Sequence, residues 1–338
     1  MPQRIEQLKA WLSSLPQISE FSLEPASGDA SFRRYFRIRV NGASYIAMDA
    51  PPKREDTAPF IRMAEAFESI GVNVPHIHAR NLQQGYLLLE DYGSDLYLDR
   101  LNDATADRLY GDALGALVTI QACGPRDNLP EYDRGLLLRE MELFKDWLVG
   151  QQLELQLSDA EHAMLGQVFD FLVENALEQP RVCVHRDYHS RNLMHTESHN
   201  PGILDFQDAV LGPVTYDLVS LLRDCYISWP RERVEAWALG YFELALQSGV
   251  LQAEHEDQFL RWFDLMGVQR HLKASGIFAR LNRRDGKPGY LQDIPRTLDY
   301  IVGQASVYPE LALLGELLEC RVLPALRGGV GDVEGITV

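Results

Sequence analysis

The stretch from Arg181 to Asp208, RVCVHRDYHSRNLMHTESHNPGILDFQD, decides how the rest of the chain is interpreted. It opens with a short apolar run, Val182–Val184, which predicts a buried strand. Asp187 follows this strand, and Asn192 comes five residues later. After a turn rich in Ser, Asn, Pro and Gly, a further short strand leads to Asp205. The spacing predicts that these three polar side chains lie at the ends of neighbouring short strands and converge.

Two carboxylates and one amide in this order match the needs of phosphoryl transfer from a magnesium nucleotide. One carboxylate accepts the proton of the attacking hydroxyl, while an amide and a second carboxylate hold the metal ions that neutralise the phosphates. We therefore predict that Asp187 is the catalytic base and that Asn192 and Asp205 are magnesium ligands. His185 is interpreted as a buried hydrogen-bonding residue that shapes the loop. In the alternative reading, these Asp and Asn residues only cap turns and strand ends.

Composition excludes several classes of protein. The 338 residues carry a formal net charge of −17, which argues against nucleic acid or an anionic membrane as the main partner. No apolar run approaches the ~18–20 residues that span a bilayer, and the first twelve residues form an amphipathic pattern rather than a signal peptide. The four cysteines are scattered, so neither a disulfide framework nor a thiolate metal site is indicated. We expect a cytoplasmic monomer.

Hydrophobic periodicity changes along the chain from strand-like to helical. Before residue 92 the pattern predicts five antiparallel strands and one packed helix, after a leading helix. The predicted strands are 21–25, 34–40, 44–49, 72–79 and 85–90, and the predicted helices are 3–14 and 57–70. From residue 93 onward the predicted helices are 104–122, 135–149, 158–178, 216–227, 231–248, 255–279 and 310–326. We expect one domain over 1–92, another over 93–338, and a fraying tail from about residue 328.

The catalytic motif resembles that of the kinase superfold, and more closely its aminoglycoside-phosphotransferase-like branch. After Asp208 the sequence passes directly to Tyr216-Asp217-Leu218, leaving no room for a long activation loop. The resemblance implies an α+β, bilobal, protein-kinase-like fold that uses ATP and Mg²⁺. It also implies that Asp217 braces the catalytic loop, although an acid at this position would also be favoured by the dipole of the following helix.

The resemblance implies a nucleotide site in the first domain. A hairpin tip formed by Ser27, Gly28, Asp29, Ala30 and Ser31 would cover the phosphates, although most Gly-containing hairpin tips are only turns. Backbone groups of Glu90, Asp91 and Tyr92 would contact the adenine edge, although an ordinary strand end would look the same. Met48 stands where kinases usually place a phosphate-binding lysine. The replacement cation is predicted to be Arg33 or Arg34, with Lys53 as the alternative.

The acceptor side is predicted from the polar groups of the second domain. Residues 269–287 carry six Lys and Arg residues and one acid, which indicates either an anion-recognising or sugar-recognising surface or a solvated basic helix face. The residues predicted to contact the acceptor are Arg223, Asp224, Trp229, Arg270 and His271. With these stretches the chain resembles the anomeric amino-sugar kinases of bacterial cell-wall recycling. That resemblance implies phosphorylation of N-acetylmuramate and N-acetylglucosamine at the anomeric hydroxyl.

Two other functions stay open at the level of sequence. One is a different small-molecule kinase of the same branch, acting on another amino sugar or on a choline-like or homoserine-like alcohol. The other is a pseudokinase that binds nucleotide without turnover, which the lysine missing at Met48 favours. The intact set of Asp187, Asn192 and Asp205 argues against a pseudokinase.

Overall fold

The computed structural model describes residues 2–27, 32–40 and 42–329, and its chain divides into two compact units. The sheet unit contains Met1–Ala116 and Arg191–Ala209, and the helical unit contains Leu117–Ser190 and Val210–Val338. The stretch Arg181–Asp208 is therefore divided between the two units: Asp187 belongs to the helical unit, while Asn192 and Asp205 belong to the sheet unit. The domain boundary expected near residue 92 stays a prediction.

The sheet unit is built on five antiparallel strands in the order β1-β2-β3-β5-β4. Alternation explains why β2 packs as it does, since Phe36, Ile38 and Val40 are buried on one face. The apolar stripe of the first helix, including Leu8 and Leu12, joins the same core. The strands are β1 Ser22–Ser27, β2 Arg34–Val40, β3 Ala43–Asp49, β4 Ile77–Asn81 and β5 Tyr86–Glu90, and the helices are α1 Pro2–Ser13 and α2 Ala58–Ser69.

Helices dominate the chain after β5, interrupted by two pairs of short strands. The helices are α3 Tyr97–Arg100, α4 Ala106–Cys123, α5 Arg134–Leu143, α6 Asp159–Leu177, α7 Tyr216–Leu222, α8 Arg231–Gln247, α9 Glu256–Asp285, α10 Ile294–Ala305, α11 Ala312–Leu317 and α12 Leu323–Gly329. A π-helical segment, Phe144–Gln152, continues α5, and another, Leu318–Val322, precedes α12. Short 3₁₀ helices occupy Ala253–His255, Pro288–Asp293 and Pro309–Leu311. The short strands are β6 Arg181–Val184, β7 Leu193–Met194, β8 Gly202–Ile203 and β9 Val210–Pro213.

The long helix α9 forms the centre of the helical unit. Its 30 residues pack against α5, the π-helical segment, α7 and α10. Close approach is possible because Gly276 faces the turn between α5 and the π-helical segment, where an added Cβ would lie 2.2 Å from the Leu143 carbonyl carbon. This position therefore has room only for glycine.

Several element boundaries differ from the sequence prediction. Helix α7 ends at Leu222, five residues early, because the Asp224 carboxylate accepts the Tyr226 amide and closes a turn there. Helix α10 was not predicted; its Pro295 lies in the first turn, where a helix needs no amide donor. Strand β9 was also missed. Most of the tail that was expected to fray lies outside the described residues.

The predicted fold class is confirmed, with an antiparallel sheet in one unit and mainly helices in the other. Among the described residues, no helix combines the length and the apolar character that crossing a membrane requires.

Candidate active site

Asp187 lies in a loop, residues 185–190, that directly follows β6 in the helical unit. Strand β6 pairs with β9, and the chain then enters α7, which carries the fully buried Asp217. The carboxylate of Asp217 accepts the His185 amide at 2.6 Å and the Arg186 amide at 3.0 Å. Arg186 has φ of 80°, an unfavourable value for a residue with a side chain, so these two bonds hold a strained backbone in place.

The His185 imidazole completes the support of this loop. It is fully buried, and its Nδ1 accepts the Asp187 amide at 3.2 Å. At the far end of the loop, the Ser190 amide donates to the Asp224 carboxylate at 3.0 Å, and the Ser190 hydroxyl donates to the same oxygen. The loop is therefore fastened at both ends by buried acids from the segment that follows β9.

Asp187 in the loop and Asp217 beside it have pKa values shifted in opposite directions. Burial opposes ionisation of Asp187, but Lys273 and the other neighbouring cations outweigh it and hold the pKa of its carboxyl below the ordinary value. For Asp217 burial dominates: despite the two amide donors, it raises the pKa of the carboxyl to about 7, and the charge of Asp187 adds to the rise. Asp187 is therefore ionised at neutral pH, while Asp217 titrates close to pH 7.

The Arg186 side chain belongs to a buried polar cluster that the sequence prediction missed. We call it the Glu140 cluster; it consists of Tyr132, Glu140, Arg186, Tyr216 and Lys273. The Glu140 carboxylate accepts Arg186 Nη2 at 2.6 Å, Lys273 Nζ at 3.1 Å and the hydroxyl of Tyr132. Lys273 Nζ also donates to the Tyr216 hydroxyl at 2.7 Å. A sequence signal for Glu140 existed, because it falls on the face of α5 that buries Leu137 and Met141.

In the sheet unit, strands β7 and β8 form a hairpin that carries Asn192 at its start and Asp205 just after its end. The Leu204 amide donates to the Asn192 carbonyl at 2.9 Å, so the two residues lie at the same end of the hairpin. Asp205 has φ of 64°, which Asp tolerates better than most residues, and its Oδ1 accepts the Gln207 side-chain amide at 2.7 Å.

This end of the hairpin fits magnesium chemically. Asn192 and Asp205 offer only oxygen atoms as ligands, both side chains are partly exposed, and Mg²⁺ prefers one or two carboxylates completed by water and nucleotide phosphates. Among the described residues, no group of three or more His, Cys, Asp and Glu could hold a metal ion. Asn192 and Asp205 would leave most of the Mg²⁺ coordination shell to water and to nucleotide phosphates.

The hinge residues predicted to contact adenine have partners within the sheet unit. Asp91 binds the Arg37 guanidinium at 2.7 and 3.0 Å; burial opposes its ionisation, but the hydrogen bonds from Arg37, Ser44 and the Gly93 amide together lower the pKa of its carboxyl. The Tyr92 hydroxyl donates to Asn73 Oδ1 at 2.7 Å, and the Glu90 amide donates to the His76 carbonyl at 2.9 Å. The predicted adenine contacts of Glu90, Asp91 and Tyr92 stay predictions.

Both cations predicted to replace the missing lysine have acidic neighbours. Met48 is fully buried, and the adjacent Asp49 accepts Arg34 Nε at 3.1 Å and Arg4 Nε at 2.6 Å. Arg33 Nε lies 3.7 Å from Glu55. The sequence prediction missed Asp49 as a competitor for Arg34. Of the predicted tip, Gly28, Asp29, Ala30 and Ser31 lie outside the described residues, and only the backbone of Ser27 is described.

Three of the predicted acceptor residues are bound to the protein's own groups. Asp224 holds Ser190, and Arg270 donates to the Ser220 hydroxyl at 2.5 Å. Burial, helped by the charge of Arg270, lowers the pKa of His271 to about 3, so this imidazole is neutral; its Nδ1 lies 2.6 Å from the Gly267 carbonyl oxygen. Their contact with an acceptor stays a prediction.

The other two predicted acceptor residues are more accessible. Arg223 stacks over the Tyr300 ring at 4.6 Å, and its Nε and Nη2 have no hydrogen-bond partner within the described part of the chain. It lines a groove of about 490 Å³ together with Arg231, Tyr300 and Gln304. Trp229 is half-buried, packs edge-on against Trp237 and lies under the Arg233 guanidinium.

The basic stretch 269–287 does not form one surface, because α9 distributes its side chains around a helix. Arg270 and Lys273 point into the interior, while Arg283 and Arg284 are exposed and pair with Glu154 and Asp285. The exposed part of the stretch agrees with the solvated basic face that the sequence left open, while recognition of an anion or a sugar stays a prediction.

Comparison with known sequences identifies the family. The profile of the phosphotransferase enzyme family matches residues 22–262. The N-acetylmuramate/N-acetylglucosamine kinase of Pseudomonas putida KT2440 is 47% identical over 325 residues, covering 93% of this chain and 96% of the relative. A kinase of the same name from Pseudomonas aeruginosa PAO1 is 48% identical over 325 residues, again with 93% and 96% coverage.

Comparison with solved structures agrees on the fold. Choline kinase LicA from Streptococcus pneumoniae aligns with a TM-score of 0.61 at 15% identity, covering 88% of this chain and 98% of the kinase. At that identity the likeness concerns the fold alone. Because the family profile matches most of the chain and two relatives are nearly half identical to it, this chain belongs to the phosphotransferase enzyme family.

Proposed function

We propose that this phosphotransferase transfers the γ-phosphoryl group of ATP to the anomeric hydroxyl of N-acetylmuramate and N-acetylglucosamine. The observation that carries the proposal is that both relatives described above are named for these two sugars and are similar over 96% of their length. The intact set of Asp187, Asn192 and Asp205 supports turnover rather than nucleotide binding alone. ATP is the proposed donor because the relatives are kinases.

In the proposed reaction, Asp187 orients the C1 hydroxyl and accepts its proton. The sugar oxygen forms a bond to the γ-phosphorus, the bond from that phosphorus to the β–γ bridging oxygen breaks, and ADP leaves with the electron pair. Asn192 and Asp205 would hold Mg²⁺, which neutralises charge on the phosphates. A carboxylate of low pKa suffices, because the anomeric hydroxyl is more acidic than a primary alcohol and little proton transfer is needed in a loose transition state.

The first domain, 1–92, is proposed to bind the nucleotide. The tip, residues 27–31, would cover the phosphates, and Glu90 to Tyr92 would contact the adenine edge. Arg33 or Arg34 would approach the phosphates in place of the lysine missing at Met48. Because Glu55 and Asp49 already neutralise these arginines, a phosphate would have to share the cation or displace the acid.

Arg223 is the cation we propose for the lactyl carboxylate of N-acetylmuramate, a group that N-acetylglucosamine lacks. Two of its nitrogen atoms are buried without a hydrogen-bond partner within the described residues, and the residue lines the groove described above, so a carboxylate bound there would supply partners that they lack. Trp229 is proposed to lie against the sugar ring. Asp224, Arg270 and His271 are proposed to support this surface from beneath, consistent with their burial.

The Arg223 proposal predicts a change in selectivity. Arg223→Met should lower kcat/KM for N-acetylmuramate about tenfold, corresponding to ~1.4 kcal/mol, with little change for N-acetylglucosamine. Arg231→Met is the matched control, because Arg231 lines the same groove but is paired with Glu235 and Asp264. Equal losses for both sugars in Arg223→Met would remove Arg223 from carboxylate recognition.

The function itself is tested by ATP consumption over a panel of sugars and amino alcohols, followed by phosphorus NMR of the product. We expect turnover of both N-acetyl sugars and a phosphorus resonance coupled to the anomeric proton. A product phosphorylated at O6, or turnover confined to choline-like or homoserine-like alcohols, would overturn the proposal and leave the family assignment intact.

A further inference from the structure

The Glu140 cluster contains more positive than negative charge, and it is buried. Lys273 and Arg186 contribute two cations, while Glu140 contributes one anion, so one positive charge is left over. Glu140 is 6% exposed and Lys273 is 8% exposed, so water offers little compensation. An unmatched charge in such a place is costly unless another charge balances it.

Asp187 directly follows Arg186 in the chain, and Lys273 contributes most among the neighbouring charges that favour its ionised form. Burial opposes the charge of Lys273, yet Glu140, Tyr216 and Asp187 together raise its pKa, so the lysine stays protonated. The groups around Asp187 come from three elements. They are His185, Arg186 and His189 on its own loop, Lys273 and Arg270 on α9, and Asp217 on α7.

The cluster also connects the catalytic loop to α5 and α9. Glu140 on α5 binds both the Arg186 side chain, which belongs to the loop, and Lys273, which belongs to α9. The backbone of Arg186 is fixed on its other side by Asp217. One residue of the loop is therefore held by its side chain and its amide at the same time, directly before Asp187.

We propose that Lys273 is a positioning residue for phosphoryl transfer, which acts through Glu140 and Arg186 on the loop and through its own charge on Asp187. The inference rests on the proposed role of Asp187 as the base. Lys273 keeps this carboxylate ionised before the sugar binds. Glu140 binds the same two cations that act on Asp187, Lys273 and Arg186, and so limits how far they lower its basicity. The two residues therefore act on Asp187 in opposite directions.

Two nearly isosteric substitutions separate this role from a purely structural one. Lys273→Met removes the cation and keeps the stem, so the acid limb of the kcat/KM profile should move up by about 1–3 pH units. Glu140→Gln removes the anion and leaves two cations, so the same limb should move down. Lys145→Met is the matched control, since Lys145 lies in the same unit and pairs at the surface with Glu142 and Asp146.

A second readout does not depend on turnover. Carbon NMR titration of protein labelled at its aspartate carboxyls, with Asp187→Asn for assignment, reports the pKa of Asp187 in each variant. We expect a rise in Lys273→Met, a fall in Glu140→Gln and no change in Lys145→Met. If the pKa of Asp187 moved in the same direction in Lys273→Met and Glu140→Gln, or moved in neither, the proposal would be overturned even if both melting temperatures fell.

The two proposals can fail separately. If the wild-type protein phosphorylates neither sugar, the proposed function fails, while the titration of Asp187 still decides whether Lys273 and Glu140 control its charge. If the wild-type protein is active and the titrations do not move in opposite directions, only the role of Lys273 fails. Loss of activity in Lys273→Met with an unshifted acid limb would also contradict the inference, because it would mean that Lys273 supports the loop without acting on the charge of Asp187.

Discussion

The two halves of the stretch Arg181–Asp208 hold their acidic residues by different means. In the helical unit, Asp187 lies among buried charges, foremost Lys273, that keep its carboxyl ionised. In the sheet unit, Asp205 is held by a left-handed backbone and by the neighbouring Phe206, whose buried ring packs 4.9 Å from that of Phe60. The first half should therefore respond to changes of charge, and the second to changes of volume and backbone.

The largest effect is expected from removing the proposed metal ligand of the second half. Asp205→Ala should abolish activity together with magnesium-dependent nucleotide binding, because the carboxylate is proposed to bind Mg²⁺ directly. Calorimetric titration with ATP, with and without Mg²⁺, measures this. Glu197→Ala, an exposed change in the turn of the same hairpin, is the control. Normal Mg-ATP binding by Asp205→Ala would mean that the metal site is elsewhere.

The next largest effect is expected from neutralising the acid of the first half. Asp187→Asn should lower kcat by about 10²–10⁴-fold with the affinity for ATP little changed, because the residue is proposed to contact only the proton of the acceptor. Steady-state kinetics and nucleotide titration on the same preparation separate the two quantities. Near-normal turnover would exclude Asp187 as the base.

A third prediction uses the contrast between Asp187 and Asp217. The pKa of the Asp217 carboxyl is raised from 3.8 to about 7, so folded protein binds more protons than unfolded protein between these values. Its contribution to stability is therefore full below pH 4 and is lost as the pH rises through 7, by an amount on the order of 4 kcal/mol. Asp187, with a lowered pKa, has the opposite sign and contributes above pH 4.

Urea unfolding of wild type and Asp217→Asn from pH 5 to pH 8 tests the sign. The wild type should lose stability relative to the variant as the pH rises, although the variant starts lower because its amide nitrogen cannot accept a backbone N–H. Parallel curves would show that Asp217 is ionised throughout, and the two acids would then differ less than we infer.

The comparison also shows what the sequence could predict. Local patterns sufficed for β2 and β3, because alternation and strand length can be recognised in consecutive residues, and for the short strands β6 to β8 around the motif. The roles of the motif residues stay predictions. Helix α10 was missed, although its Pro295 lies in the first turn, where proline is acceptable.

Partners distant in sequence could not be predicted in the same way. Asp49 competes for Arg34, and Glu140 binds Lys273 across 133 positions, so each pairing depends on the tertiary fold. The sequence indicated a basic stretch over residues 269–287, which includes Arg270 and Lys273. It did not indicate that these two residues point inward, because net charge along a helix says nothing about which side is buried.

The smallest effect tests the second half through volume alone. The Asn73 side chain accepts a hydrogen bond from the Tyr92 hydroxyl and donates one to the His199 carbonyl, so it holds both Tyr92 and the β7–β8 hairpin. A Cβ on Gly202 would lie 2.7 Å from the Tyr92 ring. Gly202→Ala should therefore displace this ring and destabilise the protein by about 1–3 kcal/mol.

Gly111→Ala is the matched control, because this exposed glycine of α4 belongs to the same unit and an added Cβ would meet nothing within 4 Å. It should be neutral or slightly stabilising, since alanine favours a helix. In Gly202→Ala we expect a higher KM for ATP and an unshifted acid limb of the pH profile, because the change alters packing in the sheet unit and leaves the charges around Asp187 intact. A shifted acid limb would show that the two halves are not controlled separately, and the distinction between charge and packing would fail.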